Sequence, residues 1–157
     1  MLLSVEKLQI AFGSFTPVQD VTIRVDRGEI LGLVGESGSG KSLTATAVMG
    51  LLGYVNGHVA GGRIVFDGAD ITELPEENMR LLRGKRIGLI TQNPMTSLDP
   101  MISVGRQIEQ AVRMHLNLDG KAAFSKAVEL MKDVRIPDPQ RIYRLYPHQL
   151  SGGMKQR

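Results

Sequence analysis

Gly35-Glu36-Ser37-Gly38-Ser39-Gly40-Lys41-Ser42 fits the pattern G-x-x-x-x-G-K-[ST] at every fixed position, and no other stretch constrains the fold as strongly. The apolar run Glu29 to Val34 ahead of it reads as a buried strand, and Leu43 to Leu52 behind it reads as a helix. A glycine-rich turn from strand to helix is the setting in which this pattern cradles phosphate. Gly35, Gly38 and Gly40 allow turns closed to bulkier residues, so the amides of the loop, those of Glu36, Ser37 and Ser39 included, can converge on phosphate oxygens. The helix start adds unpaired N–H groups and the positive end of its dipole. Lys41 would set an ammonium against the outer phosphates, and the Ser42 hydroxyl would ligate a bridging magnesium ion. The plain alternative is a glycine turn with an incidental lysine, which the flanking strand and helix patterns disfavour.

At 157 residues the chain suits one domain with a core of its own. Nineteen Lys and Arg against 16 Asp and Glu leave +3, an excess too small and dispersed to point to nucleic acid. Arg80, Arg83, Lys85 and Arg86 gather at the end of an expected helix, where cations favour the dipole. Without cysteine there are no disulfides or thiolate metal sites, and His58, His115 and His148 lack ligand spacing. No apolar run approaches the roughly 18 residues that span a bilayer, and Met1-Leu2-Leu3 meets Glu6 and Lys7 too soon for a secretion signal. The chain is expected to be soluble and to reach a membrane only through a partner.

Leu3 to Phe12 and Val18 to Val25 alternate as strands around a Gly-Ser-Phe-Thr-Pro connection, an expected antiparallel pair. Gly53 to Gly62 reads as a connection, Arg63 to Phe66 as a strand and Asp67-Gly68 as a turn. Pro75 with Glu76 and Glu77 opens a helix that Gly84 stops, and Arg86 to Gln92 reads as another apolar strand. The period then changes. Val104, Ile108, Ala111, Val112 and Leu116 share one helical face, as do Ala123, Ala127, Leu130, Met131 and Val134, which predicts two amphipathic helices packed together. The second ends before Ile136-Pro137. Met114 and Met131 are expected to fill core.

Near the C-terminus stands Leu150-Ser151-Gly152-Gly153-Met154-Lys155-Gln156-Arg157. Alone it is an ordinary helix cap. A phosphate-binding loop, then a helical region, then L-S-G-G-x-x-Q-R resembles the ATP-binding subunits of ABC transporters over the whole chain. The resemblance implies an α/β fold: a P-loop NTPase core with an N-terminal antiparallel β subdomain and a helical subdomain at about 93–150, all in one nucleotide-binding domain, 1–157, whose C-terminal part is missing. It implies ATP and Mg2+ as cofactors. Two such domains meet head to tail, so Ser151, Gly152 and Gly153 would contact ATP held by a second ABC ATPase chain, identical or different. Phe12 looks like the aromatic residue that stacks on adenine, a core phenylalanine being the other reading. Gln92 looks like the Q-loop glutamine that reaches the magnesium ion and reports to the membrane subunit. Gln92-Asn93-Pro94-Met95-Thr96-Ser97-Leu98-Asp99-Pro100 and Tyr146-Pro147-His148-Gln149 resemble the dipeptide, oligopeptide and nickel importers.

The partners so implied are transmembrane permease subunits and, indirectly, an extracytoplasmic solute-binding protein, with the chain peripheral on the cytoplasmic face of a bacterial or archaeal membrane. No nucleic acid is expected. The family's Walker B aspartate, catalytic glutamate, D-loop and switch histidine follow the signature, and none has a counterpart in 1–157, so an ATPase by family is expected to be inactive as this chain alone. Absent strands would leave a parallel sheet with an open edge, and the signature helix would be about two turns long, short for independent stability. A fragment of a longer protein is the favoured explanation. A nucleotide-binding regulator that does not hydrolyse, and a non-transport ABC protein acting on nucleic acid or the ribosome, stay open as alternatives.

Overall fold

The computed structural model describes residues 1–93 and 96–157; Pro94 and Met95, within the run 92–100 singled out above, lie outside the described residues. The chain divides into two compact units, Met1–Ile87 and Gly88–Arg157.

In the first unit, β1 (Leu3–Phe12), β2 (Phe15–Val25), β3 (His58–Phe66) and β4 (Ala69–Asp70) form an antiparallel sheet in the order β2-β1-β3-β4. The expected pair is present, but Phe15 to Pro17 belong to β2: Phe12 faces Phe15, and Gly13 at φ +59° closes a two-residue turn. β3 likewise begins at His58, so half of the expected Gly53 to Gly62 connection is strand. Its glycines serve a bulge. Lys7 takes φ +48°, Gly62 takes +81°, and a Cβ on Gly62 would stand 2.4 Å from the carbonyl oxygens of Glu6 and Lys7. The bulge re-phases β1, and Val5, Leu8 and Ile10 all reach the core.

Helix α1 (Lys41–Val48) starts at Lys41 and stops before Gly50, shorter at its end than the expected 43–52. Gly50 at φ +63° ends it: the Gly50 N–H donates to Ala47 O (2.9 Å) and the Leu51 N–H to Thr46 O (3.0 Å), the two bonds of a Schellman cap. A 3₁₀ turn at Leu52–Val55 follows. α2 (Glu76–Leu82) sits after Pro75 and ends before Gly84, as expected. Ala47, Leu52, Ile71 and Met79 close over Val5, Leu8, Ile10, Val18, Ile64 and Phe66 to make this unit's core. The turn at Asp67 is tied by Arg27, which closes β2's exit, and by Arg86, 2.6 Å away.

Two expected strands are not strands. Glu29 to Val34 forms no helix or strand and makes no ladder, with Ile30 97% and Val34 95% exposed. Arg86 to Gln92 shows only an isolated bridge between Arg83 and Ile87, and Ile90 is 88% exposed. The residues have strand propensity, but a strand is a pairing, and neither run finds a ladder partner among the described residues. The expected parallel sheet with an open edge is therefore absent among the described residues; the observed sheet is antiparallel.

In the second unit α3 (Val104–Leu116) and α4 (Gly120–Asp133) pack together as their periodicity predicts. Val104, Met131, Ile136, Ile142 and Leu150 form its core, with α5 (Pro139–Ile142) contributing Ile142. The free N–H groups opening α3 donate to Leu145 O (Val104 N, 2.8 Å) and Tyr143 O (Gly105 N, 3.0 Å). Ala111 and Leu116 are exposed, and Leu130 and Val134 line an open apolar groove of about 670 Å³ with Leu89, Ile90 and Met154. Met131 fills core as expected; Met114, 58% exposed, does not, because it lies off the α3 stripe that carries Val104 and Val112.

Candidate functional site

The loop 35–42 is solvent-exposed as far as Ser39, and its end is fixed from the sheet below. Gly40 takes φ +88° as the N-cap of α1, and a Cβ there would stand 2.6 Å from Val18 Cγ2 of β2. Only glycine meets both demands. A Cβ at Gly35 would stand 2.8 Å from Ser39 Oγ, and Gly38 takes φ +86°.

Because the N-cap is glycine, no side chain caps the first turn of α1. The Thr44 N–H and Oγ1 both bond Gly40 O, at 2.8 and 3.0 Å, which fixes the first helical turn. Lys41 Nζ arches back over the loop, donating to Gly35 O (2.7 Å), Glu36 O (2.6 Å) and Ser39 Oγ (3.1 Å). Its ammonium is thus held across the loop mouth. Ser42 is exposed beside it. A cation, an exposed hydroxyl and uncapped helix N–H groups thus belong to the same loop-to-helix junction, a donor set that suits an anion with several oxygens and a hard cation. Among the described residues no cluster of three or more His, Asp or Glu could hold a metal ion, so any metal here would need ligand oxygens as well as Ser42.

Phe12 is half-buried at the end of β1, and its ring lies against Gly57, where a Cβ would come within 2.8 Å. Its cross-strand neighbour Phe15 is the more exposed ring. Phe12 is therefore at least partly a packing residue.

Gln92 and the second motif belong to the other unit. Gln92 is exposed in a bend whose shape comes from Thr91 Oγ1 and Ser97 Oγ, 2.5 Å apart, with Ser97 donating to Asn93 O (3.1 Å). Ser151 caps α6 (Gly152–Gln156), its Oγ accepting from Met154 N at 3.3 Å, and Gly152 and Gly153 expose the first-turn backbone. Upstream, Tyr146 stacks on His148 (5.8 Å, 12°), and the approach is held by Tyr146 N–H donating to Gln149 Oε1 and Gln149 N–H donating to Tyr146 O, both at 2.9 Å.

Sequence reasoning missed three supports. Val18 beneath Gly40 gave no signal, since it reads as a plain strand residue. Arg83 was read as a cation on its own helix end; it instead donates to the carbonyls after α1. Glu109, which accepts from Tyr143 Oη and Arg113, lies far from Tyr143 in sequence. Those donors, Tyr143 first, hold the Glu109 carboxyl below the usual range, while burial and Glu109 push Tyr143 up to about 12.

Residues 18–157 match the family described as ABC transporter. The oligopeptide transport ATP-binding protein OppD of Bacillus subtilis is 44% identical over 160 residues, which cover 99% of this chain and 45% of OppD. The dipeptide transport ATP-binding protein DppD of Escherichia coli is 42% identical over 160 residues, 99% of this chain and 49% of DppD. A probable peptide ABC transporter ATP-binding protein, y4tR of Sinorhizobium fredii, is 48% identical over 137 residues, 87% of this chain and 41% of y4tR. The chain spans about half the length of these curated relatives or less. Among solved structures, the dimeric ATP-binding cassette MJ0796 bound to ADP and Pi superposes with a TM-score of 0.83 at 21% identity, over 98% of this chain and 65% of that one, so the fold is shared.

Proposed function

The chain belongs to the ABC transporter family, and from that premise we propose that it is the nucleotide-binding part of an ATPase that drives peptide uptake. The observation that carries the reading is the loop: Gly40 at φ +88° over Val18 leaves α1 uncapped, with Lys41 and Ser42 at its mouth. Lys41 and the uncapped N–H groups would bind the outer phosphates, and the Ser42 hydroxyl is the oxygen this unit would offer a magnesium ion. A bound Mg2+ would neutralise phosphate charge and orient the terminal group for attack. Phe12 stands at the adenine side of this reading. The peptide class rests on relatives named for oligopeptide and dipeptide transport.

Ser151, Gly152 and Gly153 present a capped helix start to an ATP held by a second ABC chain, so binding closes a dimer around two nucleotides. Closure is relayed through Gln92 to a membrane permease on the cytoplasmic face, fed by a solute-binding protein. No helix among the described residues is long and apolar enough to cross a membrane, which fits a peripheral role. Residues 1–157 by themselves bind nucleotide without turning it over, because no acid in them takes the family's hydrolytic roles. The test is Ser151→Arg in the protein as its gene encodes it. The variant should bind Mg-ATP with wild-type affinity but fail to dimerise with ATP in light scattering; normal ATP-driven dimerisation refutes the contact in trans.

A further inference from the structure

Arg83 carries more than the end of its helix. It leaves α2 in extended conformation (φ −63°, ψ 135°), which turns its side chain back toward α1, where it is 18% exposed. Its planar fork has five N–H donors. Nε donates to Met49 O at 2.8 Å and Nη2 to Gly50 O at 2.9 Å. Nη1 and Nη2 grip Glu76 Oε1 and Oε2 at 2.7 and 3.0 Å, and Glu76 also accepts from Tyr54 Oη (3.3 Å) in the 3₁₀ turn. The Arg83 guanidinium holds the Glu76 carboxyl below the usual range.

The carbonyls it takes are those the Schellman cap leaves over. That cap uses Thr46 O and Ala47 O; Arg83 takes Met49 O, at the C-cap, and Gly50 O just beyond it, at the negative end of the helix dipole. Gly50 makes the approach possible, since a Cβ there would stand 2.9 Å from Met79 Cε and 3.2 Å from Arg83 Nη2. One guanidinium therefore joins the exit of α1, the 3₁₀ turn and α2.

At the other end of α1, eight residues and about 12 Å away, stands Lys41. That end rests on Val18 through Gly40 and has no side-chain cap. A two-turn helix moves as one body, so freeing its exit tilts its entrance. We propose that Arg83 is a positioning residue for phosphate binding: by clamping the carbonyls behind α1 it sets the pose in which the helix presents Lys41 and Ser42. The proposal rests on the nucleotide reading of the loop and adds a residue that touches no phosphate itself.

The test measures affinity for Mg-ATP and for magnesium tripolyphosphate, which lacks the nucleoside, at a temperature where circular dichroism shows each variant fully folded. Arg83→Ala should weaken both about tenfold and by the same factor, because the effect lies at the phosphates. Arg83→Lys keeps the charge but loses the fork, and should weaken both about threefold. Wild-type affinity in folded Arg83→Ala, with only a lower melting temperature, overturns the proposal, as does loss of ATP affinity with tripolyphosphate unaffected. If Arg83→Ala does not fold, Arg83→Lys decides by the same criteria. A wild-type protein that binds neither probe overturns the nucleotide reading and this proposal with it; wild-type binding with unaltered Arg83 variants overturns this proposal alone.

Discussion

Gly105→Ala is a small change with a large expected cost. A Cβ at Gly105 would stand 2.0 Å from Tyr143 Cδ2 and 2.1 Å from Cγ, so the ring must move. It has little room: Phe124 meets it edge-on at 4.8 Å, and its hydroxyl donates to Glu109. Forcing a methyl into such a site costs about 1–3 kcal/mol. Pulling the hydroxyl off a charged acceptor adds about 1.5–3 kcal/mol. Better helix propensity returns at most about 1 kcal/mol. The net is a loss of about 1.5–5 kcal/mol. Units of about 60–100 residues lose about 4–8 °C per kcal/mol, so melting of Gly88–Arg157 should fall by about 6–40 °C. The assay is thermal unfolding by circular dichroism in a double-mutant cycle with Tyr143→Ala, which removes both clashing atoms. With the ring gone, Gly105→Ala should be neutral or stabilising. An unchanged melting temperature for Gly105→Ala in the presence of Tyr143 would refute the reasoning.

Two pH responses follow from the same geometry. Tyr143, at about 12, keeps its proton above the ordinary tyrosine range of about 10, so the folded state binds the extra proton between those values. Stability from this group is full below about pH 10 and is lost as pH rises toward 12; absorbance titration should show one of the three tyrosines ionising late, and earlier in Glu109→Gln. Asp67 runs the other way. Arg86 and then Arg27 hold its carboxyl below the usual value, so its contribution is present above about pH 4 and is lost as pH falls through the folded value. Asp67→Asn should lower the melting temperature at pH 7 and match wild type near pH 2; an equal deficit at both would assign the loss to packing.

The parts legible in the sequence are those set by local chemistry. Gly40-Lys41-Ser42 declares itself because a positive-φ glycine, a cation and a hydroxyl at a helix start leave few other uses. The stripes of α3 and α4 declare themselves because a helix completes its own backbone bonds, and Ala123, Ala127 and Met131 need only one facing surface. Glu29 to Val34 was misread because a strand depends on neighbours that its own residues do not encode. Gly61-Gly62 looked like a loop because a bulge and a loop use the same residues. In Arg83 the charge was visible and its target was not: the carbonyls of Met49 and Gly50 lie 34 and 33 residues away in sequence. The cramped meeting of Gly105 with Tyr143 is equally silent, since a glycine early in a helix usually signals weakness rather than contact.

The central claim is that loop 35–42 binds a nucleoside triphosphate through Lys41. Calorimetry of Mg-ATP binding, on the protein as its gene encodes it and on its Lys41→Ala variant, tests this directly. The loss of the ammonium's charge-assisted bonds, at about 1.5–3 kcal/mol each, predicts saturable one-site binding by the wild type and affinity weakened about 100-fold or more in the variant. Equal affinity in a folded Lys41→Ala protein would contradict the account.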